Sequence, residues 1–246
     1  LIKGRIAQLN RELKEVKRHR EVTREQRSRT KIPVVAIVGY TNAGKSTLLN
    51  ELTGAAVLSE DKLFATLDPT TRGLKLPSKQ EVLFTDTVGF IRKLPHHLIE
   101  AFKSTLEEAK YADLILHVVD TSNPQMDEQM YIVYETLRNL GVEDKTIITA
   151  FNKQDKEGAE TLLRDFKADY VVRISAKTGY GLDELLHTIE KALREQKIEI
   201  ERTYDYSEAG KIQLIRKYGE LLVEEYREDG IYVKAFVPKE IYGQIG

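Results

Sequence analysis

The most informative segment of this sequence reads Val34-Val35-Ala36-Ile37-Val38-Gly39-Tyr40-Thr41-Asn42-Ala43-Gly44-Lys45-Ser46-Thr47. It begins with an apolar run that predicts a buried strand, and the apolar residues that follow Thr47 predict a helix. Between them lies the pattern G-x-x-x-x-G-K-S, which in this strand–loop–helix context indicates a phosphate-binding P-loop. We therefore assign all of residues 39–47 to nucleotide binding.

The residue types in this loop suit the binding of phosphate. Gly39 and Gly44 allow the backbone to curl so that successive N–H groups point at phosphate oxygens. The helix that begins near Lys45 directs the positive end of its dipole at the same anion. Lys45 can contact the β- and γ-phosphates as a catalytic residue, and the Ser46 hydroxyl can ligate Mg²⁺. The loop thus predicts a nucleoside-triphosphate site with a metal ion.

Composition restricts the class of protein. The chain has 246 residues, of which 41% are hydrophobic and 31% charged, with a net charge of −1 and no cysteine. This leaves room for one full domain and a smaller one, and it excludes disulfides and cysteine metal sites. No apolar run approaches the ~18 residues of a transmembrane helix, and no signal peptide is visible. We therefore expect a cytoplasmic protein without a transmembrane segment.

Positive charge is concentrated in residues 1–31, which hold eleven Lys or Arg and four Glu and leave the remainder of the chain acidic. Apolar residues at heptad-like spacing from Ile2 to Val16 predict a helix, but two heptads are too short to hold a dimer, and we expect a monomer. We interpret 1–31 as a basic linker helix. Residues 1–16 favour packing on an adjoining domain, whereas 18–31 fit packing and contact with nucleic-acid phosphate equally.

Strands and helices alternate over residues 32–196. The predicted strands are 33–38, 74–76, 82–85, 114–119, 147–151 and 171–174, and the predicted helices are 45–53, 95–110, 126–139, 157–167 and 181–195. This order indicates an α/β fold, a P-loop NTPase domain with a mainly parallel six-stranded sheet flanked by helices. The single His117 in a predicted strand indicates a core or edge histidine with satisfied hydrogen bonds rather than a ligand.

The pattern changes after residue 196. A strand over 198–206, a helix over 207–218 and strands over 221–226 and 231–237 predict a small α+β domain of residues 197–246, with the order β-α-β-β. The turn sequence Glu228-Asp229-Gly230 is typical of a hairpin. Because this segment has more acidic than basic residues, it shows no electrostatic footprint for nucleic acid.

The segment Asp86-Thr87-Val88-Gly89 follows the predicted strand 82–85. A carboxylate at a strand end can hold Mg²⁺ and its water, and a glycine beside it lets a backbone N–H approach the γ-phosphate. The pattern D-x-x-G is weak alone, but after a P-loop and a strand it favours Asp86 as a metal ligand and Gly89 as a catalytic contributor.

Two further segments indicate which base is bound. Asn152-Lys153-Gln154-Asp155 follows the strand 147–151, and Ser175-Ala176-Lys177 follows the strand 171–174. The Asp155 carboxylate can accept from guanine N1–H and its exocyclic amino group, whereas adenine presents an acceptor there and would be repelled. Lys153 can lie over the base, and backbone N–H groups of 175–177 can reach guanine O6. All four motifs follow strand ends, so the sequence predicts one guanine-nucleotide site for GTP and GDP.

The segment Phe64-Ala65-Thr66-Leu67-Asp68-Pro69-Thr70-Thr71-Arg72 lies between the P-loop helix and the D-x-x-G motif. One threonine here should ligate Mg²⁺ when GTP is bound and release it after hydrolysis. Spacing alone leaves Thr66, Thr70 and Thr71 open.

The P-loop, this threonine segment and the run Asp86-Thr87-Val88-Gly89-Phe90-Ile91 together resemble HflX, a family of translation-factor-class GTPases close to Obg. The resemblance covers the basic helix, the P-loop domain (a G domain) and the small C-terminal domain. It implies that Thr66 is the Mg²⁺-ligating threonine, and with that a catalytic residue, within a nucleotide-binding segment 64–68. It also implies a ribosome-associated GTPase that binds the large ribosomal subunit and its rRNA and can split or rescue stalled ribosomes. We expect the chain to begin in the family's helical linker, without its N-terminal domain.

The residue after the D-x-x-G motif is Phe90, where Ras-like enzymes carry a glutamine that orients the attacking water. We therefore predict slow intrinsic hydrolysis. The missing group could come from a partner such as the ribosome, or in cis from Arg92, His96 or His97. A regulatory module that uses GTP to change its affinity for a protein partner is the alternative function.

Overall fold

The computed structural model of the protein describes residues 32–54, 70–87, 89–90, 108–142, 144–156 and 163–246. Its larger sheet has six strands, in chain order β1 (Val34–Gly39), β2 (Thr70–Lys75), β3 (Glu81–Asp86), β4 (Leu114–Asp120), β5 (Thr146–Asn152) and β6 (Tyr170–Arg173). Their order in space is β2-β3-β1-β4-β5-β6. Every neighbouring pair is parallel except β2 with β3, which is antiparallel. The predicted α/β fold with a mainly parallel six-stranded sheet is confirmed.

Helices cover both faces of this sheet: α1 (Lys45–Thr53), α2 (Met126–Asn139) and α3 (Leu182–Glu195). Alternate residues of β1 belong to different apolar clusters. Val35 and Ile37 lie in the cluster that includes buried residues of α1 and α3. Ala36 and Val38 lie in the cluster that includes buried residues of α2. Because successive strand residues point to opposite faces, a fully apolar strand requires cover on both sides, and β1 has it.

Two of the predicted helices are not found in full among the described residues. Most of the predicted helix 95–110 lies outside the described residues, although 108–111 are helical. The predicted helix 157–167 is wrong for residues 163–167, which are not helical, while 157–162 lie outside the described residues. The Asp165 side chain accepts a hydrogen bond from the backbone N–H of Lys167 at 3.0 Å. Such a local side-chain bond offers the backbone an alternative to helix, and the apolar spacing did not reveal it.

The C-terminal segment consists of β7 (Ile198–Tyr204), α4 (Ala209–Tyr218), β8 (Glu220–Arg227), β9 (Gly230–Val237) and α5 (Lys239–Ile245). Its three strands form a second, antiparallel sheet in the order β7-β9-β8. The predicted β-α-β-β order is therefore present, with α5 as an addition that we did not predict. Helix α5 contributes the buried Ile241 and Ile245 to the apolar cluster of this sheet. A segment of seven residues is too short for its apolar positions to show a helical period, so the sequence did not indicate this helix. The domain boundary at 196/197 stays a prediction.

His117 is a buried residue of β4, in the core position that was one of the two predicted, but within the described residues the prediction of satisfied hydrogen bonds is wrong for its Nδ1 atom. Its ring meets the Tyr134 ring edge-on, with centroids 5.2 Å apart. Its Nδ1 atom has no hydrogen-bond partner within the described part of the chain. Burial lowers the pKa of His117 from 6.5 to about 4, although the nearby Asp165 carboxylate acts in the opposite direction. The neutral imidazole is therefore the form that this core accommodates.

We expect His117 to make the fold sensitive to acid. Its pKa is lower in the folded chain than in the unfolded one, so the unfolded state binds the extra proton and stability falls as the pH drops from 6.5 to 4. Over that window His117 alone should cost about 3 kcal/mol. Urea unfolding at several pH values, compared between the wild type and His117→Gln, measures this contribution because both proteins carry the same carboxylates. Equal pH dependence of the two proteins would contradict it.

Candidate nucleotide-binding site

The predicted motif loops lie at the carboxyl ends of parallel strands. The P-loop follows β1, the D-x-x-G segment begins at the end of β3, the N-K-x-D segment begins at the end of β5, and the S-A-K segment follows β6. Because β1, β3, β5 and β6 run in the same direction in one sheet, these ends share one edge. Ligands of open α/β sheets bind outside this edge, where neighbouring connections diverge to opposite sides.

Backbone hydrogen bonds join the P-loop to Phe90, the residue that follows the D-x-x-G segment. The N–H of Thr41 donates to the carbonyl of Phe90 at 2.9 Å, and the N–H of Phe90 donates to the carbonyl of Gly39 at 3.0 Å. The hydroxyl of Thr87 donates to the carbonyl of Ile37 in β1 at 2.7 Å. The Phe90 side chain is 3% exposed and belongs to the apolar cluster on the α2 face of the sheet. An apolar side chain that is buried in this cluster cannot orient a water molecule at the loop edge.

Gly44 and Gly89 occupy positions where a Cβ atom would clash with a neighbouring loop. Gly44 precedes α1 with φ of +96°, and a Cβ there would lie 2.3 Å from Nδ2 of Asn152. A Cβ on Gly89 would lie 2.8 Å from Cα of Thr41. Both distances are shorter than real Cβ contacts, and the first position also has a left-handed backbone that favours glycine. The glycines thus allow the P-loop to pack closely against the N-K-x-D and D-x-x-G segments.

Lys45 is buried at the start of α1 and donates to the carbonyls of Gly39 at 3.2 Å and Tyr40 at 2.9 Å. Burial lowers the pKa of Lys45 from 10.5 to about 8, and the negative charge of Asp86 partly opposes this shift. A cation held in a desolvated loop gains from any anion that arrives beside it. The loop is therefore electrostatically prepared for phosphate.

The oxygen donors expected for a metal ion lie together. The Ser46 hydroxyl, in the first turn of α1, donates to a carboxylate oxygen of Asp86, the last residue of β3, at 2.8 Å. A hydroxyl and a carboxylate are hard oxygen donors of the kind that Mg²⁺ prefers, and Mg²⁺ takes its other ligands from water and phosphate. Among the described residues no cluster of three or more His, Cys, Asp or Glu could hold a metal by itself. The donor set fits Mg²⁺ bound together with a nucleotide.

Asn152 connects three of the predicted motifs. Its Nδ2 donates to the P-loop carbonyl of Ala43 at 2.8 Å, and its Oδ1 accepts from the N–H of Ala176 at 2.9 Å. The side chain is buried, so both of these bonds are shielded from water. The amide thereby fixes the phosphate loop relative to the two loops predicted to hold the base.

Asp155 and Ser175 form a pair at the end of this edge. The Ser175 hydroxyl donates to Oδ1 of Asp155 at 2.7 Å, and this bond lowers the pKa of the carboxyl, helped by the positive charge of Lys177. The N–H of Gln154 donates to the carbonyl of Ile174, which holds the two loops side by side. The carboxylate is thus ionised and oriented, as an acceptor for guanine N–H groups must be.

Lys153 also lies at this edge, with contacts that the sequence did not predict. Its backbone has a left-handed φ of +68°. Its Nζ donates to the P-loop carbonyl of Asn42 at 2.9 Å and to Oδ2 of Asp120 at 2.7 Å. Sequence reasoning missed Asp120, although its position as the last residue of a buried strand is the same signal that marked Asp86.

Some predicted site residues lie outside the described residues, namely 64–68 and Val88. Of the three threonines left open, Thr70 and Thr71 begin β2, and the Thr71 hydroxyl lies 3.0 Å from that of Thr85 in β3. The assignment of Thr66 as the switch threonine stays a proposal.

The fold and the arrangement of its motif loops define a P-loop GTPase domain. Residues 34–153 match the family described as 50S ribosome-binding GTPase. Over 245 residues the chain is 68% identical to the GTPase HflX of Lacrimispora saccharolytica, covering 100% of this chain and 58% of that protein. Over 240 residues it is 50% identical to the GTPase HflX of Caldanaerobacter subterraneus, covering 98% and 55%. The chain belongs to the HflX family of GTPases.

A solved structure supports the same class. The chain is similar to a GTP-binding protein from the archaeon Sulfolobus solfataricus in complex with GDP, with 30% identity and a TM-score of 0.57, covering 72% of this chain and 58% of the other. The chain spans little more than half the length of the HflX proteins of Lacrimispora saccharolytica and Caldanaerobacter subterraneus. None of the helices within the described ranges is both long and apolar enough to cross a bilayer.

Proposed function

We propose that this chain binds GTP and GDP with Mg²⁺ at the edge of the six-stranded sheet where the motif loops meet. The observation that carries the proposal is the buried Asn152 amide, which bonds to the P-loop at Ala43 and to the S-A-K loop at Ala176. A phosphate loop tied in this way to two base loops fits one ligand with a phosphate chain at one end and a purine at the other. Titration of the nucleotide-free protein with guanine and adenine nucleotides tests it.

At the phosphate end, Lys45 would exchange its bonds to the P-loop carbonyls for bonds to the β- and γ-phosphates. The backbone N–H groups of the P-loop and of Gly89 would donate to phosphate oxygens, helped by the dipole of α1. Ser46 and Asp86 would hold Mg²⁺ together with Thr66. The bound metal would neutralise charge that develops on the transferred phosphate.

At the base end, Asp155 would accept from N1–H and the amino group of guanine, held in orientation by Ser175. The N–H groups of Ala176 and Lys177 would reach guanine O6. Adenine in the same position would place an acceptor against the carboxylate, so the site should reject ATP. The base preference therefore depends on a single ionised side chain.

Hydrolysis of GTP by the isolated chain should be slow, since the buried Phe90 stands where Ras-like enzymes orient water with a glutamine. Single-turnover hydrolysis with excess protein measures the chemical step. We expect a rate well below ~1 s⁻¹ without a partner. A rate at or above that value would contradict the proposal. Contributions from Arg92, His96 and His97, which lie outside the described residues, would then be tested by substitution.

We further propose that the GTP-bound protein associates with the large ribosomal subunit and its rRNA and acts in splitting or rescue of stalled ribosomes. Membership of the HflX family and the match to a family described as 50S ribosome-binding GTPase support this. Basic residues of 1–31 could contact rRNA phosphates.

Co-sedimentation with isolated ribosomal subunits, with a non-hydrolysable GTP analogue or with GDP, tests this association. We expect recovery with the large subunit to be higher with the analogue. Equal recovery with both nucleotides would contradict a GTP-controlled association. Nucleotide-dependent binding to a protein and not to the subunit would favour the alternative, a regulatory module.

A further inference from the structure

Strand β4 ends in a carboxylate that belongs to none of the motifs above. Oδ1 of Asp120 accepts from the N–H of Ser122 at 3.0 Å and from its hydroxyl at 2.6 Å. Oδ2 lies 2.7 Å from Nζ of Lys153, and the two side chains of this ion pair are only 11% and 19% exposed. One oxygen is therefore used to orient the carboxylate, and the other is presented to the lysine.

The same loop holds the backbone around Lys153. The N–H and the hydroxyl of Thr121 both donate to the carbonyl of Asn152, at 3.1 and 2.7 Å. The side chain of Gln154 donates to the Thr121 hydroxyl at 3.2 Å. Between these two residues Lys153 has a left-handed backbone, which costs energy for a residue with a side chain and persists where surrounding bonds enforce it. The loop after β4 supplies those bonds.

The far end of the lysine is also fixed. Its Nζ donates to the P-loop carbonyl of Asn42 at 2.9 Å in addition to its bond with Asp120. The side chain thus runs from the N-K-x-D loop to the P-loop, with its ammonium held at two points. A lysine held in this way can offer its methylene stem as a flat apolar surface to an aromatic ring.

We propose that Asp120 is a positioning residue for guanine nucleotide: it holds the Lys153 side chain in the place where the lysine covers the face of the purine. This inference rests on the proposed binding of GTP and GDP. It assigns to the loop after β4 a part in the nucleotide site, although Asp120 itself need not touch the nucleotide. A purely structural ion pair would support folding and leave nucleotide affinity alone.

A double-mutant cycle with GDP as ligand separates the two roles. Asp120→Asn keeps the size of the side chain and removes the charge that fixes the ammonium, and we expect GDP to bind about tenfold more weakly. Lys153→Gln should weaken the binding of GDP at least as much. The double variant should bind GDP no more weakly than Lys153→Gln alone, because Asp120 acts through the lysine.

Inosine diphosphate, which lacks the 2-amino group, gives a second readout. The lysine would contact the ring face that both bases share. Asp120→Asn should therefore lower the affinities for GDP and inosine diphosphate by the same factor. Asp155→Asn should instead change the ratio of the two affinities. The matched control is Asp113→Asn, at the other end of β4, where the carboxylate accepts from the N–H of Val34. This control should leave both affinities unchanged.

Ser122→Ala provides a milder variant that leaves both charges of the ion pair in place. It removes the hydroxyl that orients Asp120, and we expect about threefold weaker GDP binding, with no further loss in the Asp120→Asn background. Unchanged GDP affinity in Asp120→Asn and Ser122→Ala, or losses that add to that of Lys153→Gln, would overturn the inference. Failure of the wild type to bind GDP would overturn the proposed function instead.

Discussion

Asp155→Asn is expected to lose the preference for guanine. The carboxylate is ionised and held by the Ser175 hydroxyl, so it offers guanine two acceptors at fixed positions. The amide would place a donor against guanine N–H groups, and we expect GDP to bind at least about a hundredfold more weakly. Xanthine carries an oxygen in place of the 2-amino group, so xanthosine diphosphate should bind the variant more tightly than it binds the wild type. Calorimetric titration of both nucleotides into both proteins measures this change of base preference.

The control for this substitution is Asp169→Asn, which makes the same change at a carboxylate that accepts from the N–H of Ile147 near the opposite end of β5. It should leave the affinity for GDP unchanged. Unaltered GDP affinity in Asp155→Asn would refute the assignment of the base site.

Lys45→Ala is expected to abolish measurable binding or turnover of GTP. The ammonium is the buried cation of the P-loop, and its loss should weaken the binding of GTP by at least about a hundredfold. Because burial lowers the pKa of Lys45 to about 8, the charged ammonium is held at a cost in the nucleotide-free protein, and a bound phosphate would offset that cost. Titration of GTP into the wild type and the variant measures the loss of binding, and a single-turnover assay measures the loss of hydrolysis.

Lys75→Ala is the matched control, since Lys75 lies at the end of β2 that pairs with the start of β3, away from Asp86. It should bind GTP as the wild type does. Turnover by Lys45→Ala at the wild-type rate would contradict the role given to the P-loop lysine.

Much of the fold could be predicted because its signals are local. Apolar runs such as 114–119 and 147–151 marked strands that must be covered on both faces, and the structure has them as β4 and β5 with one residue added at one or both ends. Glu228-Asp229-Gly230 predicted the turn between β8 and β9. The segment 163–167 was predicted wrongly because a side-chain hydrogen bond of Asp165 replaces helical pairing there.

The site could be predicted as far as each motif carries its own signal, and no further. The pattern N-K-x-D identifies Lys153, but it does not say which other loop lies beside the lysine. That depends on β4 pairing with β5, which sets Asp120 opposite Asn152 in the register of the sheet. Asp120 could therefore be found only from the order of strands in space. The burial of the Phe90 side chain against the sheet could likewise not be predicted without knowing the fold.

The most direct test is a titration of the nucleotide-free protein with GDP, a non-hydrolysable GTP analogue and the corresponding ATP analogue, all in the presence of Mg²⁺. A single site with phosphate, metal and guanine contacts predicts that GDP and the GTP analogue bind one to one, and that the ATP analogue binds at least about a hundredfold more weakly. Equal binding of the GTP and ATP analogues, or no binding of either guanine nucleotide, would contradict it.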